Sequence, residues 1–115
     1  MTRQDEARLA DIMGAIGAIR QHLARGGLDD DLIYDAVRAR LIEIGEAVKG
    51  TSAELLDTRP EIPWQAIARM RDHLAHRYFD TDHAIVQDVV DNGLHPLLKA
   101  VRSLLDQPGQ PTDEA

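Results

Sequence analysis

No cysteine occurs among the 115 residues, which excludes disulfides, thiolate zinc sites, iron–sulfur clusters and cysteine nucleophiles together. The lack suits a reducing compartment, and the expected location is cytoplasmic. Aromatics are nearly as scarce, with one Trp, two Tyr and one Phe. The core must therefore come from Leu, Ile, Val and Ala, a composition that favours packed helices over a β-sandwich. No run approaches the roughly 20 apolar residues that a membrane span needs. The polar start, Met1-Thr2-Arg3-Gln4-Asp5-Glu6, has no apolar segment of signal-peptide type behind it.

Positive charge is also in short supply. Thirteen Lys and Arg against 20 Asp and Glu leave a formal charge of −7. Sequence-independent binding of nucleic acid rests largely on Lys and Arg neutralising phosphates, so a nucleic-acid function here requires a local site. One stretch opposes the overall balance. Between Arg59 and Arg77 stand four arginines (Arg59, Arg69, Arg71, Arg77) against two acids (Glu61, Asp72), with His73 and His76 among them.

What is plentiful is helical periodicity. Ile12, Ile16, Ile19 and Leu23 recur at one-turn spacings and predict a first helix from about Thr2 to Ala24, broken by Gly26-Gly27. Asp29, Asp30 and Asp31 read as the solvated, capped start of a second helix. Its stripe is Leu32, Ile33, Val37, Leu41, Ile44 and Val48, and it stops at Gly50. Ser52 to Leu56 reads as a short helical turn. Pro63 suits the first turn of a third helix, where no backbone donor is needed. Trp64, Ile67, Met70 and Leu74 give that helix its core stripe, with Trp64 as a packing anchor, and its end is expected near Phe79-Asp80. Thr81 or Asp82 then caps a fourth helix carrying Ile85, Val86, Val89 and Val90. A break or kink is expected near Asn92–Pro96, after which Leu97, Leu98, Val101, Leu104 and Leu105 continue the stripe. Residues 1–106 thus read as one all-α domain, a bundle of four to five helices, and 107–115 as a disordered polar tail.

The unusual segment is Arg71-Asp72-His73-Leu74-Ala75-His76-Arg77-Tyr78-Phe79. On an ideal helix Arg71 and Tyr78 nearly superimpose, about 10 Å apart along the axis, and flank the buried stripe. A partly buried Arg there needs an anion, a stacked partner or a subunit interface. Asp72 and His76, four apart, are placed to touch, so that the carboxylate would orient the imidazole. Arg and His suffice for a minimal ribonuclease, because RNA carries its own nucleophile in the 2′-hydroxyl. Histidine moves protons near neutral pH, and the guanidinium fork matches phosphate oxygens. Arg71 and His76 stand about 140° apart around the helix, which leans toward a cleft completed by a second copy. On spacing alone an Arg-x-x-x-x-His pair is a frequent chance occurrence, and Tyr78 reads as a core residue with its hydroxyl reaching water. His73 reads as solvent-facing near Arg77. His22, His83 and His95 are scattered without metal-like spacing, so neither a metal nor a cofactor is expected.

The pattern Arg71-x-x-x-x-His76-x-Tyr78 resembles the Arg-x4-His-x-Tyr motif of HepT-like proteins in the HEPN superfamily. Ile62-Pro63-Trp64 upstream, the Ile-Gly-Glu-Ala stretch at Ile44–Ala47 and the trailing Tyr78-Phe79 strengthen the likeness, which spans roughly residues 5 to 105. The resemblance implies an all-α HEPN bundle that forms a homodimer or larger homo-oligomer with its cleft at the dimer interface. It implies a metal-independent endoribonuclease toxin of a type VII toxin–antitoxin pair. Arg71 would bind the scissile phosphate, Arg77 would add to RNA binding, His76 would transfer protons and Asp72 would support them. A MntA-like nucleotidyltransferase antitoxin would transfer AMP to Tyr78. One departure stands out, since the position after the motif Arg is commonly Asn in such proteins and is Asp72 here. A different reading keeps the bundle without the chemistry, as a binding module that docks the nucleotidyltransferase; another makes it a structural helical dimer.

Overall fold

Six helices, joined by short turns, account for most of residues 1–76 and 79–106, which are those that the computed structural model describes, with backbone only at 79 and 80. In chain order they are α1 (Arg3–Leu23), α2 (Asp31–Lys49), the single turn α3 (Ala53–Leu56), α4 (Trp64–Ala75), α5 (Phe79–Asp88) and α6 (Leu94–Leu105). α1 packs along α2, α4 lies on α2, and α6 returns against α1. The described residues contain no strand, in keeping with the scarcity of aromatics. The expected tail, 107–115, lies outside the described residues, as do Arg77 and Tyr78.

The core is the set of stripes read from the sequence. Ile12, Ile16 and Ile19 from α1, Val37, Leu41 and Ile44 from α2, Leu74 from α4, and Val101 and Leu104 from α6 are all at most 1% exposed. Each buried side chain of this kind stabilises the fold by about 1.5–3 kcal/mol. Trp64 anchors the start of α4, donating its indole N–H to the Arg59 carbonyl at 2.9 Å. Asp30 caps α2 by accepting from the Leu32 and Ile33 amides at 2.8 and 3.3 Å.

Four expectations need correction. Leu32 is 78% exposed, because a residue five positions before Val37 sits about 140° from the stripe that Val37, Leu41, Ile44 and Val48 define. Pro63 stands at the N-cap, and the helix proper begins at Trp64. α4 does not reach Phe79 but stops at Ala75, capped by His76, whose amide bonds back to the His73 carbonyl at 3.2 Å. The expected superposition of Arg71 on Tyr78 lies outside the described residues, and α5 starts at Phe79 rather than after a Thr81 or Asp82 cap. The break or kink expected near Asn92–Pro96 takes the form of a π-helical turn, not an interruption of the helix. The five residues Val89–Gly93 form a π-helical turn that runs straight into α6. Pro96 lacks the amide that an unbroken α-ladder requires, and a wider turn just before it accommodates that loss.

Asp5 ties the first helix to the α2–α3 junction. It closes a capping box with Thr2, whose hydroxyl accepts the Asp5 amide at 2.9 Å. Its carboxylate accepts from the Ser52 amide at 2.9 Å and the Ser52 hydroxyl at 2.8 Å. Burial alone would push its pKa up, yet the bonds from Ser52 and Thr2 outweigh burial and hold it below the ordinary 3.8. A carboxyl depressed in the folded state stabilises the protein above its unfolded pKa, and this is lost as pH falls through the folded value. Replacing Asp5 with Ala is expected to cost about 1–3 kcal/mol at neutral pH, the usual worth of a charged hydrogen-bonded group. Thermal melts from about pH 7 down to about pH 2 check the sign, since the gap between wild type and variant should close at the acid end.

Candidate ribonuclease site

Arg71 owes its position to a glycine on another helix. A Cβ built on Gly45 would lie 2.3 Å from the Arg71 Cβ and 3.3 Å from its Cα. Only the missing side chain lets α4 come this close to α2. The close approach sets Arg71 beside Glu46. Glu46 Oε2 accepts a hydrogen bond from Arg71 Nε at 2.7 Å and forms an ion pair with Nη2 at 2.6 Å. Nη1 turns the other way and donates to Asp72 Oδ1 at 3.1 Å. Asp72 Oδ1 also accepts from Lys49 Nζ at 3.0 Å. The result is a ladder, Lys49–Asp72–Arg71–Glu46, along the solvent edge between the two helices.

The anion that a half-buried Arg71 demands is thus supplied within the chain. Its side chain is 31% exposed, against 51% for Glu46 and 50% for Asp72. The hydrogen bonds to Glu46 first and Asp72 second raise the Arg71 pKa further, so the guanidinium is always charged. Lys49, then Arg71, hold the Asp72 carboxyl below its usual range. Two cations and two carboxylates leave the ladder neutral, and both partners of Arg71 are open to water. A phosphate arriving there would exchange with carboxylates that are easily rehydrated.

His76 is the exposed C-cap of α4. The Asp72 carboxylate bonds to Lys49 and Arg71, because α2 brings a lysine to it. The fold therefore joins Arg71 with Asp72, and places His76 at the end of the same helix. Arg77 and Tyr78 follow it in the chain, outside the described residues.

His73 meets its expectation only in part. Its side chain is 36% exposed, yet Nε2 points inward, 3.5 Å from Oδ1 of Asp82, whose side chain is 3% exposed. Sequence reasoning also missed Glu46, Lys49 and Asp82. The signal for Glu46 was available: a glycine in mid-helix followed by an acid marks a close helix contact with a charge beside it. Asp82 left none, since an acid near a helix start reads as a cap. Among the described residues no group of three or more His, Asp or Glu is arranged to hold a metal ion, and no helix is long and apolar enough to cross a membrane.

An all-α bundle displaying an arginine and a histidine five residues apart at one helix end defines a class of small helical proteins. Within that class the chain belongs to the HepT-like ribonuclease family, whose model ("Ribonuclease HepT-like") matches residues 10–104. It is similar to the "Probable ribonuclease HepT" of Thermococcus cleftensis, 36% identical over 104 residues, covering 86% of this chain and 93% of that protein. It is also similar to "Putative RNase MJ0127" of Methanocaldococcus jannaschii, 35% identical over 78 residues, covering 68% of this chain and 64% of that one. A third relative, "Putative RNase TTE0752" of Caldanaerobacter subterraneus subsp. tengcongensis, is 34% identical over 83 residues, covering 68% and 74%. The chain thus spans less than two thirds of the Methanocaldococcus relative's length. No solved structure matches the chain.

Proposed function

We propose that the protein is a metal-independent endoribonuclease in which Arg71 binds the scissile phosphate and His76 moves the proton. The reading rests on one observation above others: Arg71 is fixed, charged and half-exposed at the α2–α4 edge, on the helix that ends in His76. The 2′-hydroxyl of RNA attacks its own phosphorus, its proton passing to a base, and the 5′-oxygen leaves with a proton. The products are a 2′,3′-cyclic phosphate and a 5′-hydroxyl, so the reaction needs no metal-activated water. Arg71 stabilises the negative charge that builds on the phosphorane, and Arg77 adds its charge to RNA binding. A homodimer, or a larger homo-oligomer, sets the Arg71 and His76 pairs of two copies in one cleft.

The same reading makes the protein the cytoplasmic toxin of a type VII pair. A MntA-like nucleotidyltransferase would join the Tyr78 oxygen to the α-phosphorus of ATP, with pyrophosphate leaving. AMP two residues from His76 would block RNA by bulk and by like charge. A non-catalytic module that docks such a transferase is the rival, favoured by the neutral ladder and the chain's net charge of −7. Expression in cells and cleavage of RNA in EDTA separate the two. Growth arrest relieved by His76→Ala, with cyclic-phosphate products from the wild type, supports the toxin. Cleavage that survives both Arg71→Ala and His76→Ala sinks it. Mass spectrometry after incubation with the transferase and ATP should place AMP on Tyr78, and label retained by Tyr78→Phe would move the acceptor elsewhere.

A further inference from the structure

Three polar side chains are buried among the described residues: Asp5, Thr51 and Asp82. Two have structural work that accounts for them. Asp5 is satisfied by Ser52 and Thr2, and the Thr51 hydroxyl donates to the Ala47 carbonyl at 2.8 Å. Asp82 is different. It is 2% exposed, and its Oδ1 faces His73 Nε2 at 3.5 Å with both atoms shut off from solvent. A buried carboxylate is costly, and a well-packed apolar pair in its place is often as stable or more so. Core stability therefore gives no reason for an acid here.

Its location does. His73 lies in the last turn of α4 and Asp82 in the first turn of α5, so the pair spans the segment that carries His76, Arg77 and Tyr78. Both flanks are also tied to the α2 side of the bundle. Arg38 donates to the Leu74 carbonyl at the end of α4. His83, next to Asp82, stacks on Tyr34 with ring centres 4.9 Å apart and planes 2° from parallel, and its Nε2 lies 3.4 Å from the Leu28 carbonyl. Each end of the motif segment is thereby fixed to the same helix that seats Arg71 through Gly45. We propose that Asp82, acting through His73, is a positioning residue for RNA cleavage that fixes where His76 stands relative to Arg71. The inference rests on His76 being the proton-transfer residue.

The test uses the full chain with Asp82→Asn, which removes the charge and keeps the shape. Val101→Ala, a core truncation in α6, serves as a control for lost stability, compared at matched distance below each melting temperature. Asp82→Asn is expected to lower kcat about 10–100-fold, the scale of a misplaced reacting group, with little change in KM. It should also shift the His76 imidazole signals in NMR, assigned by their absence from His76→Ala. Val101→Ala should leave both unchanged. Asp82→Glu, which restores the charge, should recover part of kcat, and His73→Gln serves if Asp82→Asn fails to fold. Equal kcat losses in Asp82→Asn and Val101→Ala, or His76 signals that do not move, would overturn the proposal. If the wild type cuts no RNA, the ribonuclease reading falls, and the NMR comparison still decides whether Asp82 positions His76.

Discussion

Arg71→Ala is expected to slow RNA cleavage about 10²–10³-fold, the loss typical when one donor to a developing oxyanion is removed. Arg71→Lys is the more informative partner. It keeps a positive charge beside Glu46 and Asp72 but loses the planar fork that now meets Glu46 through two nitrogens. A point charge on a flexible stem does not reproduce two parallel bonds to phosphate. The lysine variant should therefore regain binding more than rate, with KM near wild type and kcat still about tenfold low. Folding should be little affected by either change, because the side chain lies at a hydrated edge and its ion pairs are open to water. Single-turnover cleavage of a short RNA, with circular dichroism as the check on folding, measures both. Equal rates for the wild type, Arg71→Lys and Arg71→Ala would mean that the guanidinium takes no part in the chemistry.

How much of this site was legible in the sequence follows from the range of each interaction. Arg71, Asp72 and His76 stand on one helix, so their presence and order could be read directly, and the residue pattern carried the family likeness. The partners could not be read. Glu46 lies 25 residues from Arg71, Lys49 lies 23 from Asp72, and both meetings depend on the register of α4 on α2. An i,i+4 rule points from Asp72 to His76, and it carries no sign of the lysine that a neighbouring helix delivers to the same carboxylate. The same division runs through the fold. Stripes such as Ile12–Ile16–Ile19 declare their buried face by period alone. The end of α4 at Ala75 does not, since its Leu74 carbonyl is taken by Arg38 from α2. Leu32 shows the converse error, where hydrophobicity without the correct phase was read as burial.

Gly45→Ala should be the most damaging of the small substitutions, and its sign runs against helix propensity. In an exposed mid-helix position, alanine is favoured over glycine by about 1 kcal/mol. Gly14 and Gly17 in α1 have the room for it, because an added Cβ at either finds nothing within 4 Å. Each replaced by Ala should raise stability by about 0.5–1 kcal/mol. At Gly45 the new methyl meets the Arg71 Cβ at 2.3 Å, an atom one bond from the α4 backbone that no rotamer change can withdraw. α4 must move as a body. Overpacking of this kind costs about 1–3 kcal/mol, sometimes more, which exceeds the propensity gain and should lower Tm by about 5–15 °C for a domain of this size. The displacement also pulls Arg71 away from Glu46, so cleavage should fall further than the stability loss alone accounts for. Melting curves of the three alanine variants give the comparison directly. If Gly45→Ala melts as high as Gly14→Ala, the two helices are not in the close contact that holds Arg71 in place, and the site's geometry must be set by something else.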